Sequence, residues 1–560
     1  MLKGVLKQFF QKSSIFFWIL LIVGSVSWSL TMVKSGMLYP SGMGFWGPNG
    51  HDGIWHIALS ESLARGSFDM PTFSGARLQN YHIGFDLLLA GINRLTNIPI
   101  STLYFQILPP LLAIAIGTLT YLFVKKLSSS TSSALWAMFF VYFGGSLGFI
   151  FNKGESAFWS QQAISTLINP PFALSLVLIL CGLLLLLNKK YIFAAIVFGV
   201  LIEIKAYAGL LVLGSLLTAG VWRIVKERKF DLMFTFVAAF IISLIIFIPL
   251  NKNSGSLLVF QPFWFLETMM GLSDRIGWQR FYSAMTNYKL GGFWWKWIPA
   301  YTIAFVIFCV GNLGTRIVKD IWLFKKLKAL KSLTWIDIFI FSMIGAGILV
   351  PTFFLQKGTP WNTIQFFYYS IFFSSILAGV AISHIKSKLA LMLIVLVTIP
   401  TTILTLKDVY LPPRPPAKIS NVELDALGFL RNQPSGIVLT YPFDEFKAKE
   451  AINNPPRPLY FYDSTSYVSA FSAKSTYLED QVNLDITGYD WKERRDKVLN
   501  FISTKDEPIA KGFLTENNIK YLYLVKGAGP LVDEELRLGS GQLGLTKIFE
   551  NNEVNIYLVN

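Results

Sequence analysis

Long apolar runs with short polar breaks fill the first 406 positions, and short alternating stretches fill the remainder. A helix rises about 1.5 Å per residue, so about 20 apolar residues cross a bilayer's hydrocarbon core. On that basis the pattern predicts about 11 spans, near 15–33, 103–124, 133–151, 169–188, 191–204, 206–222, 232–250, 298–315, 335–355, 364–383 and 388–406. Residues 191–222 are too few for two full crossings, yet the flanking charges require an even number there. Two short helices joined at 202–207 satisfy both, provided the break is buried in protein or lines a wet cavity.

Orientation follows from the basic residues. With the N-terminus inside, Lys125-Lys126, Lys189-Lys190, Arg223–Lys229, Arg316–Lys331 and Lys386–Lys388 all fall on the cytoplasmic side, as positive loops do. Segments 34–102, 151–169, 251–297 and 356–363, and everything from 407, then lie outside. The first apolar run follows Lys3, Lys7 and Lys12. It is too long for a signal-peptide core and has no small-residue cleavage site after it, so it reads as a retained anchor.

The outer segments carry their own elements. Ile54–Leu63 predicts a helix along the membrane surface with Trp55 and Phe68 at headgroup level, and 83–92 a second one. Trp264, Trp278, Trp294, Trp295 and Trp297 predict an interfacial aromatic belt. After a stiff linker at Pro412-Pro413-Arg414-Pro415-Pro416, helix-like 422–431, 490–502 and 509–516 alternate with strand-like 436–441, 519–525 and 554–559. The fold class is therefore a polytopic α-helical membrane protein with a long first outer loop and a small C-terminal α/β outer domain. Its parts are a membrane domain over 1–406, with the first loop at 34–102, and an outer domain over 407–560.

Composition agrees. Of 560 residues 53% are hydrophobic and only 15% charged, where a soluble chain carries about a quarter. The net charge of +16 does not indicate nucleic acid, because residues 1–406 hold 31 Lys and Arg against 12 Asp and Glu, and 407–560 hold 18 against 21. The excess sits in short loops and is a topology signal. Cys181 and Cys309 lie in apolar runs and imply neither a disulfide nor a metal site.

Candidate chemistry concentrates in the first loop. Three of the 4 histidines, His51, His56 and His82, lie there with Asp52 and Asp86. Asp52 suits a general base at the outer surface; as an acidic residue before an apolar helical run it equally suits a helix cap. The histidines with Asp52 and Asp86 could bind a divalent metal, but their spacing matches no closed zinc pattern, so hydrogen-bonded histidines are the preferred reading and no cofactor is required. Asp86 has Arg77 and Arg94 as candidate partners. Lys205 lies in an otherwise apolar run, where a charge is a functional hypothesis by default; its plainer role is a pair with Glu203. A cation there suits a lipid-linked phosphate, and Lys357 at an outer helix end offers a second phosphate partner. Arg275 and Arg280 are loop cations of the kind that are usually solvated.

Together these features resemble the GT-C glycosyltransferases, integral-membrane enzymes that use polyprenyl-phosphate-linked sugars, in a bacterial mannosyltransferase-like form. The resemblance covers the layout of most of the chain. Its local matches are Asp52-Gly53-Ile54-Trp55-His56-Ile57-Ala58 through Leu63-Ala64-Arg65-Gly66, and Gly199-Val200-Leu201-Ile202-Glu203-Ile204-Lys205. It implies that Asp52 is the catalytic base or orients the acceptor, that His51, His56, His82 and Asp86 line the site, and that Lys205 and Lys357 hold the donor phosphate, with Glu203 and Tyr81 in support. The first loop departs from the family pattern in lacking an Asp-X-Asp or Glu-Asp pair, and Tyr81-His82-Ile83-Gly84 stands where many bacterial relatives carry a Pro-rich segment; metal dependence is left open. The implied function is inverting transfer of a sugar from a polyprenyl-phosphate donor to a hydroxyl of a glycan, lipid or protein acceptor, on the outer face of the plasma membrane, with membrane lipids as surroundings. Two alternatives remain open. One is a secondary transporter with Glu203 and Lys205 in a broken helix; the other is a non-catalytic scaffold for cell-surface polymer assembly.

Overall fold

A computed structural model describes residues 14–251, 258–529 and 543–560; Lys3, Lys7 and Lys12 lie outside the described residues. Among those residues nine helices are long and apolar enough to cross a membrane: Ile100–Ser128, Thr131–Phe151, Pro170–Leu187, Ala206–Glu227, Asp231–Leu250, Trp294–Lys328, Trp335–Phe353, Pro360–Ile382 and Lys388–Tyr410. Ile15–Ser29 and Tyr191–Ile204 are shorter apolar helices. The protein is thus a multi-pass helical membrane protein.

The 191–222 region differs from the expected pair of short helices. Tyr191–Ile204 is short, with 14 residues, or about 21 Å. The next helix, Ala206–Glu227, has 22 residues and spans fully. Its last turn carries Arg223, which the adjacent acids hold, Asp231 at 3.0 Å and Glu227 at 3.6 Å. A basic residue with such partners continues the helix where the apolar pattern alone would end it.

By contacts the chain divides into two compact units. Met1–Thr31, Leu108–Pro249 and Gly255–Leu411 bound the first; Met32–Ile107, Leu250–Ser254 and Pro412–Asn560 bound the second. Grouping the first loop with the C-terminal region crosses the division at 406/407 that composition suggests.

The first unit is the helical one. Pro360–Ile382 is its innermost helix, almost wholly buried, whereas Asp231–Leu250 and Lys388–Tyr410 expose most of their apolar surface, as lipid-facing helices do. Leu258–Phe260 pairs antiparallel with Phe354–Gln356, which sets two of the predicted outer segments side by side. Trp278, Trp294 and Trp295 stay exposed, as the aromatic belt requires.

The second unit holds two four-stranded sheets. In one, Ile437–Leu439 runs parallel to Ile519–Val525, which pairs antiparallel with Val554–Val559 and that with Leu545–Glu550. In the other, Gly42–Phe45 of the first loop lies between Met37–Tyr39 and Ala417–Ile419. Gly42 sits at φ +116°, and a Cβ there would stand 2.1 Å from the Ile419 carbonyl oxygen, so only glycine fits this approach. The strand after the Pro-rich segment is therefore pinned to the loop.

One core joins both sequence regions of this unit. Trp55, Leu59, Leu63 and Leu78 of the loop pack with Leu439, Leu484, Phe501 and Leu522 of the C-terminal region. Each buried side chain of this size contributes about 1.5–3 kcal/mol. Trp55 is 2% exposed and does not sit at headgroup level: the Asp52–Ala64 helix is buried over Gly53–Leu63 on every face. The C-terminal region covers the face that the sequence reading assigned to the membrane.

Candidate functional site

Asp52 opens the Asp52–Ala64 helix, directly after the Gly47–Gly50 turn. A Cβ at Gly53 would come within 2.7 Å of the Phe105 ring and 3.2 Å of Tyr104, so glycine lets the helix start close to these rings. The cap position belongs to His51, whose side chain makes no capping hydrogen bond. Instead its Nδ1 lies 2.9 Å from Asp52 Oδ1 and its Nε2 3.6 Å from Asp480 Oδ1. Asp52 is half exposed and Asp480 fully buried.

Asp480 comes from a distant part of the sequence and is fixed by its own backbone. It stands at φ +52°, caps the Gln481–Thr487 helix through the Asn483 N–H, and accepts a second bond from Asn483 Nδ2 at 2.8 Å. Asp463 adds a third carboxyl in the electrostatic reach of His51, Asp52 and Asp480, and burial raises its pKa, which His51 pulls back down. Burial also works against the His51 imidazolium, but hydrogen bonds and charge from Asp480 and Asp52 outweigh it and hold the His51 pKa well above its ordinary 6.5. A cationic His51 steadies ionised Asp52, the state a general base needs.

The remaining first-loop candidates do not converge on Asp52. His56 Nδ1 meets Asp86 Oδ1 at 2.8 Å, and the Ser60 hydroxyl donates to the same oxygen at 3.2 Å. Both side chains are buried, with the His56 ring stacked on Tyr104 at 5.6 Å. This pair joins the Asp52–Ala64 helix to the Gly84–Thr96 helix. Asp86 thus meets His56 and not an arginine: Arg77 pairs with Asp69, and Arg94 donates to the Ala64 carbonyl. Tyr81 stacks on His82 at 4.6 Å and meets Trp55 edge-on at 5.4 Å. Among the described residues no group of three His, Cys, Asp or Glu side chains is disposed to hold a metal ion. His56 is engaged with Asp86, and His51 favours its protonated, non-ligating form.

In the helical unit, Lys205 is the single extended residue between Tyr191–Ile204 and Ala206–Glu227, at φ −157° and ψ 110°. It is buried, with Nζ 3.4 Å from Asn169 Oδ1 and 5.4 Å over the Tyr207 ring. The Tyr207 hydroxyl lies 2.9 Å from Gln356 Oε1, and Gln356 precedes Lys357. One hydrogen bond thus links the neighbourhoods of the two predicted phosphate partners. Glu203 lies one residue before the end of its helix, on the same break.

Below this point an apolar groove of about 580 Å³ runs between Ala206–Glu227 and Trp335–Phe353. Leu210, Leu258, Leu349 and Phe354 line the end nearer the lysines, and Gly214, Gly345 and Ala346 line its floor. Thr218 and Ser342, hydrogen-bonded at 2.7 Å, stand toward its other end. The small floor residues leave the volume that larger side chains would fill.

Sequence reasoning missed Asp463 and Asp480, since nothing in the tail marks them as partners of the first loop. It also missed Glu155, which accepts from the Gln162 N–H at 2.9 Å and from the Ser165 hydroxyl; burial raises its carboxyl to a pKa of about 7 against these bonds.

No family model and no curated protein matches the chain. Among solved structures, the chain is similar to the Archaeoglobus fulgidus oligosaccharyltransferase in complex with Zn and sulfate. The TM-score is 0.49 at 14% identity, over 90% of this chain and 68% of that one. The archaeal oligosaccharyltransferase AglB from the same organism, in complex with an inhibitory peptide and a dolichol-phosphate, gives 0.47 at 12%, over 91% and 69%. ArnT from Cupriavidus metallidurans bound to undecaprenyl phosphate gives 0.36 at 11%, over 98% and 99%. These neighbours are GT-C membrane glycosyltransferases.

Proposed function

We propose that the protein is a membrane glycosyltransferase of the GT-C kind that moves a sugar from a polyprenyl-phosphate donor to an acceptor hydroxyl on the outer face of the membrane. The observation that carries this reading is the apolar groove of the helical unit with Lys205 and Lys357 near one end. A long isoprenoid chain fits an apolar, membrane-embedded groove, and its phosphate needs cations at the headgroup end. Lys205 and Lys357 hold that phosphate and stabilise the charge that grows on it as it leaves.

The second unit supplies the base. Asp52, steadied by His51 and through it by Asp480, takes the proton of the acceptor hydroxyl. The hydroxyl oxygen forms the new bond to the anomeric carbon as the bond from that carbon to the phosphate oxygen breaks. The proton ends on Asp52, the electron pair on the polyprenyl phosphate, and the anomeric centre inverts. His56 and Asp86 position the helix that carries Asp52. No step is routed through a metal.

The test is incubation of the purified protein with a panel of radiolabelled polyprenyl-phosphate sugars and analysis of the labelled product. Lys205→Met is expected to raise KM for the donor. Gly214→Leu with Gly345→Leu, which fills the groove, is expected to do the same for long-chain donors and to spare short-chain ones. Absence of transfer from every donor, or groove-filled protein with unchanged long-chain kinetics, overturns the reading.

A further inference from the structure

A second recess lies in the second unit, on the far side of Asp480 from His51. It encloses about 550 Å³ counting its open mouth, and its walls include Asp463, Asp480, Thr465, Gln481, Tyr460 and Phe461. Asp480 is shared: it faces the recess and also stands 3.6 Å from His51 Nε2, whose Nδ1 is 2.9 Å from Asp52.

Two polar groups of the wall have no partner within the protein. Thr465 is 6% exposed and its Oγ1 is buried without a hydrogen bond. Gln481 Nε2 is likewise buried and unsatisfied. A buried polar atom left unpaired costs about 1–3 kcal/mol, so a native fold that keeps two in one recess leaves them for something that enters it.

The wall chemistry narrows what that is. Carboxylates at Asp463 and Asp480 accept hydrogen bonds and repel anions, and the described lining residues include no lysine or arginine. A phosphate or sulfate is therefore excluded. The Gln481 amide is a donor, and an ammonium ion, which only donates, leaves it unsatisfied. The ligand must both donate and accept, as hydroxyl groups do. Tyr460 and Phe461, with ring centroids 4.6 Å apart and planes at 67°, add apolar faces of the kind that the C–H face of a pyranose covers. An extended peptide, by contrast, is captured by main-chain pairing along an open strand edge, and here the wall offers rings and side-chain termini.

We propose that this recess is the acceptor subsite, and that the acceptor is a saccharide without anionic groups, one ring of which lies against Tyr460 and Phe461 with its hydroxyls on Asp463, Thr465, Gln481 and Asp480. This rests on the glycosyl-transfer reading and specifies its acceptor. Asp480 then has two duties, holding the sugar on one side and His51 on the other.

Binding without turnover tests it separately from that reading. Full-length protein in nanodiscs is titrated by saturation-transfer NMR with methyl glucoside, methyl mannoside, glucose 6-phosphate, tetramethylammonium and triglycine. The methyl glycosides are expected to bind, and Thr465→Val and Asp463→Asn each to weaken them about tenfold, as loss of one hydrogen bond of about 1.4 kcal/mol does, while thermal melting stays near that of the unaltered protein. If a substitution lowers the melting point, Gln481→Glu, which replaces the donor amide by a carboxylate at constant size, gives the second reading. The proposal falls if no methyl glycoside binds, if the folded variants bind as the parent does, or if the phosphate, the ammonium or the peptide binds in preference. Loss of donor transfer with glycoside binding intact would count against the glycosyl-transfer reading alone.

Discussion

The first loop contains two histidine–aspartate pairs of nearly equal length and opposite character. His56–Asp86 is closed: at 2.8 Å, with both side chains buried, it joins two helices. His51–Asp52 is open: at 2.9 Å it leaves Asp52 half exposed and reaches on to Asp480. Distance does not separate structure from chemistry here, and surroundings do. A buried pair surrounded by rings has nothing to exchange a proton with, whereas a carboxylate at a helix start, steadied by a cationic imidazole and still open, can take a proton from a substrate.

The widest separation is expected from Asp52→Asn. Transfer should drop about 10²–10⁴-fold, the usual yield of general-base catalysis, while the melting temperature scarcely moves. Folded Asp52→Asn protein with full activity removes the base role. Asp86→Ala should do the reverse, costing about 3 kcal/mol because it strips His56 of its partner. Chemical denaturation reads that loss, and a stability unchanged by it would show the closed pair to be dispensable.

Next in size is the effect of pH on stability. Burial raises the carboxyls of Glu423 and Glu479, each to about 8. A raised folded pKa means that the fold binds protons the unfolded chain has released, so stability is greatest below about 4.5 and declines as pH rises toward 8. His51 adds to the loss above 6.5, since its folded pKa is also raised. Thermal melting of the protein is expected to fall by on the order of several degrees across this window. Glu479→Gln should flatten the slope, and a melting point that instead climbs with pH contradicts the assignment. The smallest effect is set at the surface of the same unit, where Arg431 holds both oxygens of Glu61 at 2.9 Å. Arg431→Met should cost about 1 kcal/mol and leave transfer unaffected; a large loss of activity would show that this contact also governs the site.

Much of the membrane part was legible in the chain. Every predicted apolar run is helical, because a span must satisfy all its backbone groups internally and needs a long apolar stretch to do so. The break at Lys205 was legible for the same reason: a charge between Ile204 and Ala206 has few places to go. The strands at 519–525 and 554–559 also match, since their patterns are long and strong. The strand Ala417–Ile419, by contrast, has three residues and takes its partner from the first loop, and nothing local announces that pairing.

The candidate site divides in the same way. Asp52 as an outer-surface carboxylate, and Lys205 and Lys357 as cations near outer helix ends, followed from charge and hydropathy alone. The burial of Trp55 did not, because an apolar helix reads alike whether lipid or protein covers it. Nor did the sorting of the histidines: their spacing allowed a metal cluster, a shared helix face or separate partners. By itself the sequence determined where the chain crosses the membrane and which residues are costly enough to carry chemistry, since both are set by local transfer free energy. Only the tertiary structure decided which carboxylate each histidine meets and that Asp480 stands behind the base. Those are contacts between residues hundreds of positions apart, and local propensity holds no information about them.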